Sequence, residues 1–234
     1  MILLRSVVYN IWFYVVSVLL VLACGPFLPF PRRYSGPVVW VIGRFWARLL
    51  VGGARVICGI RVAVTGRENL PVGPVLIASN HQSAFDTIIW LLLIDRAVYV
   101  VKKELGHIPL YGGITRRLGM IIVDRDAGAA AIRHLLAGAA QAVAENRSIV
   151  IFPEGTRSHP DEVGVLHPGV AAMAAHSGLA VVPVVTDSGR HWGRRTFLRY
   201  PGTIHIAIRP ALPAGMKRRD LLAALEATYR AGVG

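Results

Sequence analysis

The chain has 234 residues, 54% of them hydrophobic and only 17% charged, with a mean hydropathy of +0.51. That composition excludes a disordered or collagen-like polymer and leaves ample material for one or two domains with a sizeable core. Lys and Arg outnumber Asp and Glu by 26 to 13, so a formal charge of +13 favours anionic partners; at this hydropathy a lipid surface ranks ahead of nucleic acid, because apolar burial and basic attraction add there.

From the N-terminus, residues 7–28 carry no charge, and as a helix they would extend ~33 Å at ~1.5 Å per residue, enough to cross a bilayer. A cleavable signal peptide has a shorter apolar core, and Pro26, Phe27, Leu28, Pro29 and Phe30 do not resemble a small-residue cleavage site, so a retained membrane anchor is expected. Arg5 precedes this segment while Arg32, Arg33, Arg44 and Arg48 follow it, which places the remainder on the cytoplasmic side. Having only Cys24 and Cys58, both in apolar runs and without metal spacing, agrees with a reducing compartment and argues against a disulfide scaffold or zinc site.

A second apolar stretch, residues 38–60, is interrupted by Arg44, Arg48 and Arg55, which fall within ~40° of one another at ~100° per residue. Such a stripe suits a helix lying among lipid headgroups; a buried helix whose arginines reach back to water is the alternative. Gly52 and Gly53 are expected to break it.

Beyond residue 60 short β-branched runs alternate with helical stretches. Strands are expected at residues 61–65, 75–79, 97–101, 120–123, 149–152, 181–185 and 203–208, and helices at 84–94, 127–145, 170–176 and 219–229. This order predicts an α/β fold with a largely parallel or mixed central sheet flanked by helices, preceded by an N-terminal helical membrane-anchoring segment. The division is residues 1–60 as the membrane-associated helical region and 61–234 as the second domain.

After the apolar run PVLIAS comes NHQSAFD, a strand-to-helix passage of the kind where α/β enzymes carry reactive groups. His81 and Asp86 meet only if His81 lies in the loop and Asp86 in the first helical turn, which Ser83 as N-cap would arrange. Asp86 then either caps the helix or holds His81 in one tautomer as a general base for a hydroxyl; local sequence leaves both open. Two further strands end in charge. GMIIVDR projects Arg125 from a strand end, and IVIFPEGTR runs into Gly155, which permits close backbone approach, the Thr156 hydroxyl and the Arg157 guanidinium, which can grip two phosphate oxygens. Glu154 cannot favour a phosphate directly and would orient an arginine or an incoming hydroxyl.

Taken in order, NHQSAFD, GMIIVDR, FPEGTR and Val181-Val-Pro183-Val184 resemble the His-x4-Asp glycerolipid acyltransferases, best represented by the 1-acyl-sn-glycerol-3-phosphate (lysophosphatidic acid) acyltransferases. The likeness covers about residues 61–210 and includes Lys102, Lys103, Glu104, Leu105, Ile108, Pro109 and Gly112 between the first two motifs. It implies that residues 61–234 are a catalytic domain with His81 as base and Asp86 as its partner. Arg125, Glu154, Gly155, Thr156 and Arg157, with Lys102, would form the acceptor-phosphate site. It also implies acyl transfer from acyl-CoA or acyl-carrier protein to the sn-2 hydroxyl of lysophosphatidic acid, giving phosphatidic acid. No cofactor, metal or nucleic acid is implied; an anionic membrane surface is, and acyl-carrier protein is a candidate partner. The sequence has no G-x-S-x-G elbow, so the activated hydroxyl would attack directly, with backbone N–H groups near Ser83 available to the oxyanion.

The chain departs from the family pattern at Leu166-His167, where a Phe-Lys pair is common, and at Ile122-Val123. His167 replaces a lysine charge only when protonated, so acceptor identity is where the chain differs; glycerol-3-phosphate, lyso-ornithine lipid and other lysophospholipids are the alternatives. From another class, a noncatalytic anionic-membrane or nucleic-acid-binding protein would use the basic charge without His81. The group Arg190, Arg194, Arg195 and Arg199 with His191 and Trp192 is expected to face lipid headgroups.

Overall fold

The computed structural model describes residues 1–124 and 127–233. Within them lie β1 (Ile60–Thr65), β2 (Leu76–Ser79), β3 (Val98–Lys102), β4 (Ile121–Val123), β5 (Ile149–Ile151), β6 (Val181–Thr186) and β7 (Gly202–Ile208). They form one mixed sheet in the order β1-β7-β6-β2-β5-β3-β4, each pair parallel except β6 with β7. Every strand end falls within one residue of its expected position.

The strands at the centre are apolar throughout because both faces are covered. Side chains alternate between two cores: Ile77, Val150, Val182 and Val184 face one, while Leu76, Ala78, Ile149, Ile151 and Val181 face the other. The first core is closed by helices α1 (Ile2–Cys24), α2 (Arg32–Gly53) and α3 (Phe85–Leu93), the second by α5 (Ala129–Ala144), α6 (Gly169–Ser177) and α7 (Arg218–Ala231). A short helix not foreseen from sequence, α4 (Tyr111–Leu118), leads into β4.

Chain path decides where a crevice opens. From β2 the chain crosses by α3 to β3, passing over the position of β5; from β5 it returns by α6 to β6, on the far side of β2. Right-handed crossovers in opposite directions put α3 and α6 on opposite faces, so the loops leaving the carboxyl ends of β2 and β5 part and leave a gap between them. NHQSAFD follows β2 and FPEGTR follows β5.

The N-terminal residues form an antiparallel hairpin of α1 and α2. Tyr9 Oη donates to the Leu50 carbonyl at 3.1 Å, Trp12 Nε1 to the Leu49 carbonyl at 3.1 Å, and Trp46 Nε1 to Ser17 Oγ at 3.0 Å. Gly52 and Gly53 do not break α2, which continues through a π-turn (Ala54–Cys58) to Gly59; a Cβ on Gly53 would sit 2.5 Å from Trp12 Nε1, so the glycine serves the close approach of the helices. Buried residues of the hairpin, Tyr9, Trp40 and Leu50, belong to the same core as Ile77 and Phe85. The outer face of α1 is apolar and exposed, with Leu3, Leu4, Ile11, Tyr14, Leu19 and Leu22 all uncovered. Arg48 and Arg55 are exposed, whereas Arg44 is tied to Asp95 at 3.2 Å.

Candidate active site

His81 lies in the loop between β2 and α3, and its Nδ1 is 3.0 Å from Asp86 Oδ2. A carboxylate only accepts, so Nδ1 carries the proton and Nε2 presents its lone pair. The ring stacks on Phe152, with centroids 4.2 Å apart and planes 21° from parallel. Phe152 opens the FPEGTR turn. From that turn Ser158 donates to the His81 carbonyl through both its N–H (2.8 Å) and its hydroxyl (3.1 Å), so the two loops are locked across the crevice.

Asp86 is 2% exposed and accepts four hydrogen bonds. Oδ2 takes the His81 ring and the amides of Gln82 and Ser83, each amide at 2.8 Å; Oδ1 takes the Ser188 hydroxyl at 2.5 Å. Capping and histidine-holding, alternatives in the sequence, are performed by one carboxylate. The start of α3 differs from expectation by a residue: Ala84 occupies the N-cap position, while Ser83 Oγ accepts from the Phe85 amide at 3.1 Å. Because Gln82 and Ser83 N–H point at Asp86, they are not the oxyanion donors anticipated near Ser83. Asn80 pins the loop to β6, donating to the Thr186 carbonyl at 3.0 Å and accepting from its amide at 2.8 Å.

In the FPEGTR turn Gly155 adopts φ +66° and its N–H closes the turn on the Phe152 carbonyl at 2.9 Å. Thr156 is exposed and Arg157 half-buried; the Arg157 guanidinium has no protein partner among the described residues, while its carbonyl accepts from Arg194 at 2.7 Å. Glu154 departs from the phosphate-site expectation. Its carboxylate is buried, bonds no arginine, and neither oxygen has a hydrogen-bond partner among the described residues. Burial raises its pKa to about 7; the nearby Asp86 charge adds to the rise, while the Ser158 side chain and the His81 backbone oppose it. The Ser158 hydroxyl is directed at the His81 carbonyl, so its help to Glu154 is too small to offset burial.

Lys102 ends β3, two strands from β2, which puts it ~10 Å along the sheet edge from the His81 loop. Its ammonium pairs with Glu104 at 2.7 Å. Neighbouring Lys103 bonds Asp124 at the end of β4, also at 2.7 Å. Arg125 lies outside the described residues.

The arginine group after β6 is not a headgroup surface as a whole. Trp192 is buried against Tyr9 and Phe13, at ring centroid distances of 5.3 and 5.8 Å, and the Arg199 guanidinium lies 4.8 Å over the Trp192 ring. Arg199 also bonds the Thr196 carbonyl and Asn10, and Arg190 pairs with Asp161. Trp192 and Arg199 thus dock the 187–200 loop on α1, while Arg190, Arg194 and Arg195 remain exposed. Ser188, part of this loop, was not singled out by sequence; its only signal is its place just past a buried strand, beside β2.

A histidine backed by a buried carboxylate and stacked on Phe152, in the turn that goes on to an exposed hydroxyl and a guanidinium without a partner among the described residues, is suited to activating an alcohol that carries an anionic group. The sequence agrees with that class: residues 61–187 match the Acyltransferase family model, and the chain belongs to this family. It is 34% identical over 190 residues to the 1-acyl-sn-glycerol-3-phosphate acyltransferase of Pseudomonas aeruginosa, an alignment covering 81% of this chain and 72% of that one. With the alpha form of the same enzyme from Mus musculus it is 29% identical over 167 residues, covering 70% of this chain and 59% of the mouse protein. The fold matches the crystal structure of the 1-acyl-sn-glycerophosphate (LPA) acyltransferase PlsC from Thermotoga maritima, with a TM-score of 0.79, 22% identity, and 100% and 96% of the two chains covered.

Proposed function

We propose that the chain transfers a fatty acyl group from an acyl thioester to the sn-2 hydroxyl of 1-acyl-sn-glycerol-3-phosphate, forming phosphatidic acid. His81 Nε2 takes the hydroxyl proton as the oxygen attacks the thioester carbonyl. The tetrahedral intermediate then collapses, the C–S bond breaks, and the imidazolium returns the proton to the departing thiolate. Asp86 stabilises the transient imidazolium and fixes the ring. Arg157 and Thr156 hold the acceptor phosphate, with Lys102 as a further cation along the same sheet edge and Arg125, from the sequence motif GMIIVDR, as another ligand of the phosphate. The observation that carries this reading is the stacking of His81 on Phe152, which brings the base to the turn bearing Arg157. The names of the relatives supply the acceptor.

The apolar outer face of α1 would sit in the bilayer and hold the crevice beside a substrate that resides there. The most apolar part of Ile2–Phe27 has a mean hydropathy of 2.2, and only 17% of it is buried. Basic residues after α1 favour the catalytic domain on the cytoplasmic side. The donor is acyl-CoA or acyl-carrier protein.

The test is transfer of a labelled acyl group by purified protein in lipid vesicles, with lysophosphatidic acid, glycerol-3-phosphate and lyso-ornithine lipid compared at matched donor by the acylated product of each, and each donor tried in turn. Preference for lysophosphatidic acid is expected. Preference for either other acceptor rejects the assignment, and His167 at a position where a lysine is common is the feature that would then be re-examined.

A further inference from the structure

The Asp86 carboxylate has two oxygens, and only one of them faces His81. The other, Oδ1, has one partner among the described residues, the Ser188 hydroxyl at 2.5 Å, and Ser188 is fully buried. Ser188 comes from a different part of the chain, 102 residues on, in the turn that follows β6.

That turn is held from every side. The Ser188 amide donates to Thr186 Oγ1 at 3.1 Å, and its carbonyl accepts from the Trp192 amide at 2.9 Å. Just before it, Asp187 is gripped by β7: the His205 amide donates to Oδ1 at 2.7 Å and His205 Nδ1 lies 2.9 Å from Oδ2. Just after it, the Gly189 amide donates to Gln82 Oε1 at 3.2 Å, returning to the loop that carries His81. A hydroxyl so fixed cannot follow Asp86 if the carboxylate turns; it sets the carboxylate's rotation instead. Oδ2, with three donors of its own, is thereby kept in line with His81 Nδ1.

We propose that Ser188 is a positioning residue for the His81–Asp86 pair: its hydroxyl fixes the carboxylate plane and, through it, the imidazole. The proposal rests on the reading of His81 as the base. Ser188 touches neither acyl donor nor acceptor in this account, so its loss should alter turnover and leave substrate binding alone.

The experiment uses the protein in lipid vesicles and compares wild type with Ser188→Ala, Ser188→Thr, Asp86→Ala and the double variant Ser188→Ala/Asp86→Ala. A hydrogen bond to a charged group corresponds to a fall in kcat of about 10- to 100-fold in Ser188→Ala, with KM for donor and acceptor unchanged within about twofold. Ser188→Thr retains the hydroxyl and should recover most of the rate. Because Ser188 acts through Asp86, the double variant should be no slower than Asp86→Ala alone, in which Ser188 has no carboxylate left to position. Rates of Ser188→Ala within about threefold of wild type, or two losses that multiply in the double variant, would overturn the proposal. If Ser188→Ala does not fold, Ser188→Cys, a weaker donor, takes its place with an intermediate loss expected. A readout independent of turnover is the NMR signal of the proton on His81 Nδ1, which must move in Ser188→Ala or Ser188→Cys; an unmoved signal also overturns the proposal. A moved signal in a protein that acylates no lysolipid supports the positioning and refutes the proposed function.

Discussion

Replacing Asp86 by Asn removes a charge while leaving every hydrogen bond a partner. The amide oxygen, placed where Oδ2 now lies, still accepts from His81 Nδ1, Gln82 N–H and Ser83 N–H, and the amide nitrogen can donate to a rotated Ser188 hydroxyl. Stability should therefore fall by only about 2 kcal/mol, the difference between charge-assisted and neutral bonds. Catalysis loses much more. An imidazolium 3.0 Å from a carboxylate gains about 5 kcal/mol at an effective dielectric near 20, which corresponds to roughly ten-thousand-fold in rate. The assay is initial velocity at saturating donor and acceptor in vesicles, paired with a thermal melt of the same preparation. A folded variant with kcat within about tenfold of wild type would refute the view that Asp86 stabilises a charged His81 during turnover.

Three further outcomes follow from particular side chains. Glu154 holds its proton up to a pH of about 7 in the folded protein against 4.5 ordinarily, so the native state binds more protons than the unfolded chain between those values. Stability should decline as pH rises through that window, by at most roughly 3 kcal/mol, and Glu154→Gln should abolish that decline; parallel pH dependence of the two proteins in denaturant titrations contradicts the burial argument. Arg157→Ala should raise KM for phosphate-bearing acceptors by about 10- to 100-fold with little change for the acyl donor, and equal effects on both would remove Arg157 from the phosphate site. Leu19 and Leu22 are 58% and 56% exposed on α1; changing both to Glu should weaken vesicle co-sedimentation by at least about 100-fold while the melting temperature in detergent stays unchanged, and undiminished binding would exclude the α1 face as the membrane contact.

The sheet was legible because its strands are buried on both faces: runs such as VLIAS and IVIF have no helical reading of adequate length, and turn residues bound them. Helix α4 was not, since Gly112 and Gly113 are poor helix formers and the segment is short. Gly112 is instead required by packing, because a Cβ there would meet the Gly106 carbonyl oxygen. Likewise Gly53 looked like a breaker when it was making room for Trp12. In the site, His81 and Asp86 could be paired because five residues of spacing limit the geometry. Ser188 could not, as contact across 102 residues depends on strand order, which places β6 beside β2. Glu154 was grouped with its neighbours in FPEGTR, yet Gly155 with its positive φ turns the chain at that point, leaving Glu154 inside while Thr156 is exposed. Trp192 and Arg199 suggested a surface patch by composition, whereas the burial of Trp192 against α1 draws Arg199 inward.

The account turns on His81 as the group that deprotonates the acceptor hydroxyl, and the most direct measurement is kcat of His81→Ala at saturating substrates, in vesicles that bind the variant as well as wild type. A loss at least as large as that of Asp86→Asn, about 10⁴-fold, is the predicted result. Turnover within about tenfold of wild type would contradict it.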